Sequence, residues 1–198
     1  MAFSDYVSFA ALLDDFNRAS LGSDWIGGFT TAATQMQTYT STESGRTGAG
    51  FGSSVWKDQL SQDGIVIVEI GSGTGDMAVD FRADEINSSN YDSIELNYTE
   101  SGTQFDLWVI TNNTAGAALD TTTSFTLGTG DLLGIAGIDD LIICGINQGF
   151  GWNDLLTGTD PAPQAGYHGW WANGTTPRIT NYYAGNITAG GGLAWITA

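Results

Sequence analysis

The chain has 198 residues, 22 of them acidic and 5 Lys or Arg, for a net charge of −17. That sign repels phosphate backbones and leaves no counterion release to drive association, which excludes nucleic acid as a partner. With 41% hydrophobic, 12% aromatic and only 14% charged residues, plus 28 glycines, the composition excludes a disordered chain, and the one cysteine, Cys144, excludes a disulfide framework or a cysteine-zinc cluster.

Residues 1–13 read as an arm or short helix. Phe9, Leu12 and Leu13 give it an apolar side, but it has too few turns to stand alone. It carries neither the positive start of a signal peptide nor the length of a membrane span, so a soluble product made in a cytoplasm is expected, with no membrane partner. Residues 14–198 read as one domain. In DDFNRASLGSDW, Asp14 to Trp25, Phe16 and Trp25 can plug a core between turn-forming residues. A strand is expected over Thr34–Tyr39, then a flexible glycine-rich stretch from Ser44 to Ser54, then Trp56 as an anchor.

From Gly64 the strand signals sharpen. Ile65 to Ile70 forms one run; GSGTGD, Gly71 to Asp76, turns the chain; Met77, Val79 and Phe81 then alternate inward against Asp80 and Arg82 outward. Because a strand follows GSGTGD where a phosphate loop needs a helix, that motif reads as a hairpin turn. Tyr91–Tyr98 sets Ile94, Leu96 and Tyr98 against Glu95 and Asn97, and Gln104–Thr111 carries Phe105, Leu107 and Val109. A polar loop is expected from Asn112 to Thr123 and an irregular segment from Gln148 to Gly166. Further strands are expected at His168–Asn173, Arg178–Ala184 and Leu193–Thr197. Many short strands separated by turn signals, without helical periodicity, predict an all-β protein: a two-sheet antiparallel β-sandwich of jelly-roll type.

Between these segments lies GDLLGIAGIDDLIICGIN, Gly130 to Asn147, read as a tight central hairpin. Both of its alternating faces are apolar. One face packs on the sandwich, and the other requires a cover, either the loop Gln148–Gly166 or a neighbouring subunit. Leu133, Ile135, Leu141 and Ile143 are therefore interface candidates. Cys144, inside this hairpin, reads as a small buried hydrophobe.

The chemistry-bearing candidates are few. Glycosidases of such folds commonly display E-x-D-x-x-E on one strand, so that acid and nucleophile share a face; that spacing is absent here. Glu95 and Glu100 flank a turn, and Asp80, Asp84 and Glu85 read as a solvated strand end, so no catalytic residue and no enzyme activity are expected. His168 has no second histidine or cysteine near it, which favours packing over catalysis. Phe150, Trp152, Tyr167, Trp170 and Trp171 cluster in sequence and suit core filling, protein contact or glycan contact, in that order; alternation sends Trp170 and Trp171 to opposite faces. Calcium is the metal most compatible with so many acids, through Asp139, Asp140, Asp154 and Asp160. No D-x-D-x-D-G pattern supports it, and solvated loop acids with no metal are expected.

Four pieces in order, DDFNRASLGSDW, MAVDFRADEINSSNYDSIELNY, the GD at Gly130–Asp131 and AGYHGWWANGTTPRITNYYAG, resemble the concanavalin-A-like lectin/glucanase (LamG-like) jelly roll in the version found in bacteriophage virion proteins. The resemblance implies that the motif at Asp15, Phe16, Asn17 and Arg18 pairs with a late strand, Arg178 to Gly185, and closes the sandwich. Asn181 stands where the family usually has an acid. It also implies a non-enzymatic virion structural protein that decorates or cements a capsid. Its partners would be the major capsid protein or tail components, or copies of itself. The alternative is a carbohydrate-binding module that adsorbs to a host surface glycan, and the third reading is a glycoside hydrolase.

Overall fold

The computed structural model describes residues 1–29, 34–39, 42–45, 51–86 and 88–188. Fifteen strands are seen among them: β1 Ala11–Asp14, β2 Thr34–Gln35, β3 Gln37–Tyr39, β4 Glu43–Gly45, β5 Phe51–Val55, β6 Gly64–Ile70, β7 Met77–Ala83, β8 Ser93–Thr99, β9 Gln104–Thr111, β10 Thr114–Thr122, β11 Leu132–Ile138, β12 Leu141–Asn147, β13 Trp152–Thr159, β14 Tyr167–Asn173 and β15 Arg178–Asn186. They form two sheets. Sheet I runs β13-β12-β11-β6-β15-β4-β3, with β1 also on β15, and sheet II runs β10-β9-β8-β7-β14-β5-β2. Every pairing is antiparallel except β2 with β5. The core lies between the sheets, where Val66, Val68, Leu133, Ile135 and Cys144 of sheet I meet Phe81, Leu96, Leu107 and Trp170 of sheet II.

The central hairpin is β11–β12, in register from Leu132 opposite Asn147 to Ile138 opposite Leu141. Its second apolar face is covered by the chain's own N-terminal arm. The arm forms two 3₁₀ turns, Phe3–Asp5 and Val7–Phe9, rather than a helix, and then becomes β1. Phe3 drives the docking. Gly134 and Gly145 are a directly opposed pair, and a Cβ on either would stand 2.3 or 2.4 Å from the Phe3 ring, so these two glycines form the notch the ring fills. The Phe3 N–H donates to Asp154 Oδ1 at 2.8 Å, and its ring packs on Trp152 with centroids 4.6 Å apart. Ile65, Ile67, Ala136 and Ile143 complete this outer cluster. A bulkier residue is also barred at Gly185, whose Cβ would lie 1.9 Å from the Phe9 carbonyl oxygen.

This packing corrects the interface expectation. Leu133 and Ile135 have no exposed surface inside the sandwich, Ile143 is buried beneath the arm, and Leu141 is half-buried at the arm's margin. Such side chains hold the chain to itself. Two supposed loops are also strands. β13 occupies much of the segment 148–166, and β10 most of 112–123, where Thr114–Thr122 is exposed along nearly its whole length and pairs with β9 without an apolar face to announce it. Of the stretch expected to be flexible, residues 51–55 are strand β5, while 46–50 lie outside the described residues, as does the strand expected at Leu193–Thr197.

The pairing with the late strand is made by the residues just ahead of the motif, Ala11–Asp14, while Asp15 to Arg18 follow outside the strand. β1 pairs with β15 and brings Asp14 opposite Tyr182. The acid that works is Asp14, not the exposed Asp15: it accepts from the Trp25 indole at 2.6 Å and the Phe16 N–H at 2.7 Å, and it pairs with Arg18. Asn181 donates to Glu69 Oε2 at 2.6 Å, so an amide serves where an acid was usual. Arg82, expected outward, is buried. A left-handed backbone (φ 58°) turns it toward the end of the sandwich, where it donates to Asp160 Oδ2 at 2.8 Å and to the carbonyls of Gln62 and Asp139.

Candidate functional site on the outer face of sheet II

Alternation on β7, β8 and β9 sends Val79, Phe81, Leu96 and Leu107 into the core and leaves polar residues facing out. Register then aligns those outer residues in rows across six strands. One row reads Ser53, Trp171, Ala78, Asn97, Asp106, Thr121. The next reads Val55, Gly169, Asp80, Glu95, Trp108, Ala118. Two carboxylates therefore stand directly opposite each other on β7 and β8, flanked by Trp108 and diagonal to Trp171.

Hydrogen bonds fix this face, whose carboxylates are closed to solvent, Glu95 and Asp106 being 4% exposed and Asp80 not at all. The Trp171 indole N–H spans β7 and donates to Glu95 Oε2 at 2.7 Å, and the other face of the indole region meets Phe51, ring centroids 4.9 Å apart. Asn97, next but one along β8, accepts from the Thr99 hydroxyl at 3.2 Å. Gln104 Nε2 donates to both oxygens of Asp106 at 2.8 and 2.9 Å, and the Thr121 hydroxyl adds a third bond at 2.6 Å. Asp80 accepts only from the Ser93 hydroxyl, at 3.1 Å; its Oδ2 has no partner although the residue is wholly buried. Phe29 and Tyr91 stack 5.6 Å apart at that end of the face, with Phe29 set against Gly169, the neighbour of Asp80.

The electrostatics follow from burial without a counter-charge. Desolvation pushes the Glu95 carboxyl up to about 7, against the opposing hydrogen bonds from Trp171 and Asn97. Asp80 is held well above the usual carboxylate range, by burial first and by Glu95 second. Burial, then the two acids, raise the Tyr91 hydroxyl as well. Burial thus favours the protonated form of both acids, which can then donate as well as accept hydrogen bonds, between two half-buried indoles. A flat, hydroxyl-bearing ligand matches that combination of ring faces and oriented acceptors.

The five aromatic candidates do not form one cluster. Trp171 lies in the site, Tyr167 packs beside Phe29 and Tyr91 at its end, and Trp170 is core. Trp152 lies on the outside of sheet I against Phe3, and Phe150 is 98% exposed at the β12–β13 turn. Asp80, Glu95, Asn97, Asp106 and Trp108 were not foreseen as a group. A carboxylate search along single strands misses a pair formed across two, and Asp80 is buried rather than solvated. The available signal was positional: three successive strands, each with polar residues on the same alternate positions. His168 is buried and its Nδ1 lies 2.6 Å from the Tyr182 hydroxyl; burial lowers it to about 3, so it is a neutral packing residue.

The four aspartates considered for calcium do not fit it. Asp160 is engaged by Arg82 and Asp154 by the Phe3 N–H, while Asp139 and Asp140 lie exposed in the hairpin turn. Among the described residues no group of three or more His, Cys, Asp or Glu side chains could hold a metal ion, and calcium wants six to eight oxygens.

No family model and no curated protein matches the sequence. Solved structures match in shape. The exoplasmic/lumenal domain of VIP36 in its Ca2+/Man2-bound form superposes with a TM-score of 0.65 at 12% identity, over 92% of this chain and 91% of that one. The carbohydrate-binding module CBM66 from Bacillus subtilis gives 0.57 at 12% identity, over 84% and 94%. A prokaryotic β-1,3-1,4-glucanase (lichenase) from a mouse hindgut metagenome gives 0.59 at 9% identity, over 88% and 98%. The chain has the concanavalin-A-like jelly-roll fold. In this jelly roll the rows of sheet II are built by ladder register alone, so the site and the sandwich share their strands.

Proposed function

We propose that this jelly roll is a non-enzymatic carbohydrate-binding protein that takes a glycan on the outer face of sheet II. The observation that carries the reading is the pair of half-buried indoles, Trp108 and Trp171, that flank Glu95, because sugars are recognised by ring stacking; Glu95 itself is only 4% exposed and holds Trp171 through the indole N–H. Two structures of similar fold carry carbohydrate in their descriptions, a mannose disaccharide for VIP36 and carbohydrate binding for CBM66. The virion setting rests on the sequence resemblance alone, and a decoration role loses its main support once the arm occupies the second face of the hairpin.

The lichenase neighbour raises hydrolysis as a second reading, and the opposed Asp80 and Glu95 are the observation that favours it. Against it, Asp80 has no exposed surface, and an acid or nucleophile must reach the glycosidic bond. Binding without cleavage is the reading the geometry supports best.

Screening on a glycan array, followed by calorimetry on the glycans retained, tests it. Trp171→Ala and Trp108→Ala should each weaken binding at least 10-fold, while Phe150→Ala and Trp152→Ala, away from the site, should leave it within 2-fold. Binding that tracks Phe150 or Trp152 instead, or no retained glycan at all, refutes the assignment. Release of reducing sugar would establish hydrolysis in its place.

A further inference from the structure

We propose that Asn173 is a site of spontaneous covalent modification: the Gly174 backbone nitrogen closes the Asn173 side chain into a succinimide, which opens to isoaspartate on the strand that carries Trp171. The reaction needs no glycan.

Asn173–Gly174 is the one Asn-Gly pair in the chain; every other asparagine precedes a residue with a Cβ. Glycine leaves its own nitrogen unscreened, so attack from the preceding side chain meets no steric bar. The fold keeps that approach open. Asn173 is the exposed last residue of β14, and Gly174 begins the turn to β15 with a left-handed φ of 92° and nothing within 4 Å of where a Cβ would stand. Among the described residues, neither the Asn173 side-chain amide nor the Gly174 N–H has a hydrogen-bond partner. The Asn173 N–H is anchored on the Asp76 carbonyl at 2.9 Å, so the strand is held up to the reacting residue and released just beyond it. Two groups kept adjacent and unengaged in this way react as one molecule.

The atoms balance with water as the co-reactant. The Gly174 nitrogen bonds to Asn173 Cγ and gives up its proton, and the side-chain nitrogen leaves as ammonia. Water then opens the ring at either carbonyl. Cleavage of the new bond to Cγ yields aspartate, whereas cleavage of the original bond to the main-chain carbonyl carbon yields isoaspartate, whose backbone runs through Cβ and Cγ. Nothing is oxidised or reduced.

The position gives the change its consequence. Asn173 and Trp171 are alternate residues of β14 and share the outer face of sheet II. Asn173 stands opposite Phe51 in the ladder, and the Phe51 ring packs on Trp171 with centroids 4.9 Å apart. An extra backbone atom at residue 173 displaces that pairing and loosens the support of the Trp171 indole, while a new carboxylate appears beside it.

Peptide mapping of protein aged at pH 8 and 37 °C tests the site. Asn173 should gain about 1 Da at least 10-fold faster than any other asparagine and at nearly the rate of the free peptide spanning 171–178. An isoaspartyl methyltransferase should label the product, and Asn173→Gln should abolish the gain. The isoaspartate form, separated by anion exchange, should exchange the amide hydrogens of β5 and the end of β14 at least 10-fold faster than fresh protein. Asn173→Asp, with the charge but not the extra atom, should not. Modification 100-fold slower than in the free peptide, or no faster than at Asn153, overturns the site; unchanged exchange in β5 and β14 overturns its effect on Trp171.

Discussion

The arm's attachment can be tested with a double-mutant cycle on Phe3 and Gly145. Phe3 is fully buried, so Phe3→Ala removes its transfer free energy and leaves a void between the glycine notch and Trp152. Phe→Ala changes at such sites cost about 3–5 kcal/mol, and a terminal arm that can settle into the space places this one near about 3. Gly145→Ala sets a methyl 2.4 Å from Phe3 Cδ1, well inside contact distance, so the ring must lift; overpacking of this kind costs about 2 kcal/mol. With the ring gone, the methyl meets only Cβ of residue 3, 2.9 Å away, and a terminal arm can shift by the few tenths of an ångström that relieve it. The double variant should therefore unfold at nearly the same urea concentration as Phe3→Ala alone, a coupling of about 2 kcal/mol. Urea titration at pH 7 followed by tryptophan fluorescence reads all four species. Additive losses within about 0.5 kcal/mol, or a Phe3→Ala cost below about 1 kcal/mol, would refute the notch.

Other consequences are open to measurement. Glu95 stays protonated to about pH 7 when folded but ionises near its ordinary 4.5 when unfolded, so it draws stability down as pH rises across that window. At about 1.4 kcal/mol per pH unit, Glu95→Gln should be more stable than wild type at pH 8 by about 3 kcal/mol, as read by urea titration, with no difference at pH 4. His168 acts in the opposite sense: it stays neutral when folded down to about 3 but takes up a proton below about 6.5 when unfolded, so its contribution is lost as pH falls through that range. Glu95→Gln should accordingly expose a steeper acid limb in the stability profile. Asp160→Ala strands the Arg82 guanidinium, whose side chain is 1% exposed, and should cost about 3–5 kcal/mol in equilibrium unfolding. Ile143→Asp should lower thermal stability sharply without altering the sedimentation coefficient of whatever remains folded, because that side chain is buried beneath the arm.

The hairpin was legible as a pair of strands because its two short runs are rich in Ile and broken by Gly and Asp, although Gly137 and Ile138 belong to β11 and the turn is only Asp139–Asp140. β10 was not, since Thr, Ala and Gly on an exposed edge strand give no hydrophobic alternation; its ladder with β9 is a tertiary fact. The need to cover the hairpin's second face could be read from composition, but the cover could not. Phe3 is one of three aromatics in the first ten residues, with Tyr6 and Phe9, and its fit depends on two glycines that become neighbours only through the β11–β12 register. The site behaved similarly. Alternation correctly turned Asp80, Glu95 and Asn97 away from the core, yet which of them face one another is decided by strand offsets that no single strand encodes. Burial of Asp80 likewise depends on residues far along the chain, Phe29 and Tyr91, that stack over that end of the sheet.

The alternation on β7, β8 and β9 has a bearing on how such a surface changes over evolutionary time. Odd and even positions of the same strands answer to separate demands, one set to packing against sheet I and the other to whatever ligand lies outside. Exchanges at Asn97, Asp106 or Trp108 can thus retune recognition while Leu96 and Leu107 keep the sandwich intact, and many ligand preferences become reachable by single steps. Insertions and deletions are barred from the same strands. Loss of one residue from the middle of β8 would turn the following charged positions inward and drive apolar ones outward, so the lineage of this face can drift in chemistry but not in length.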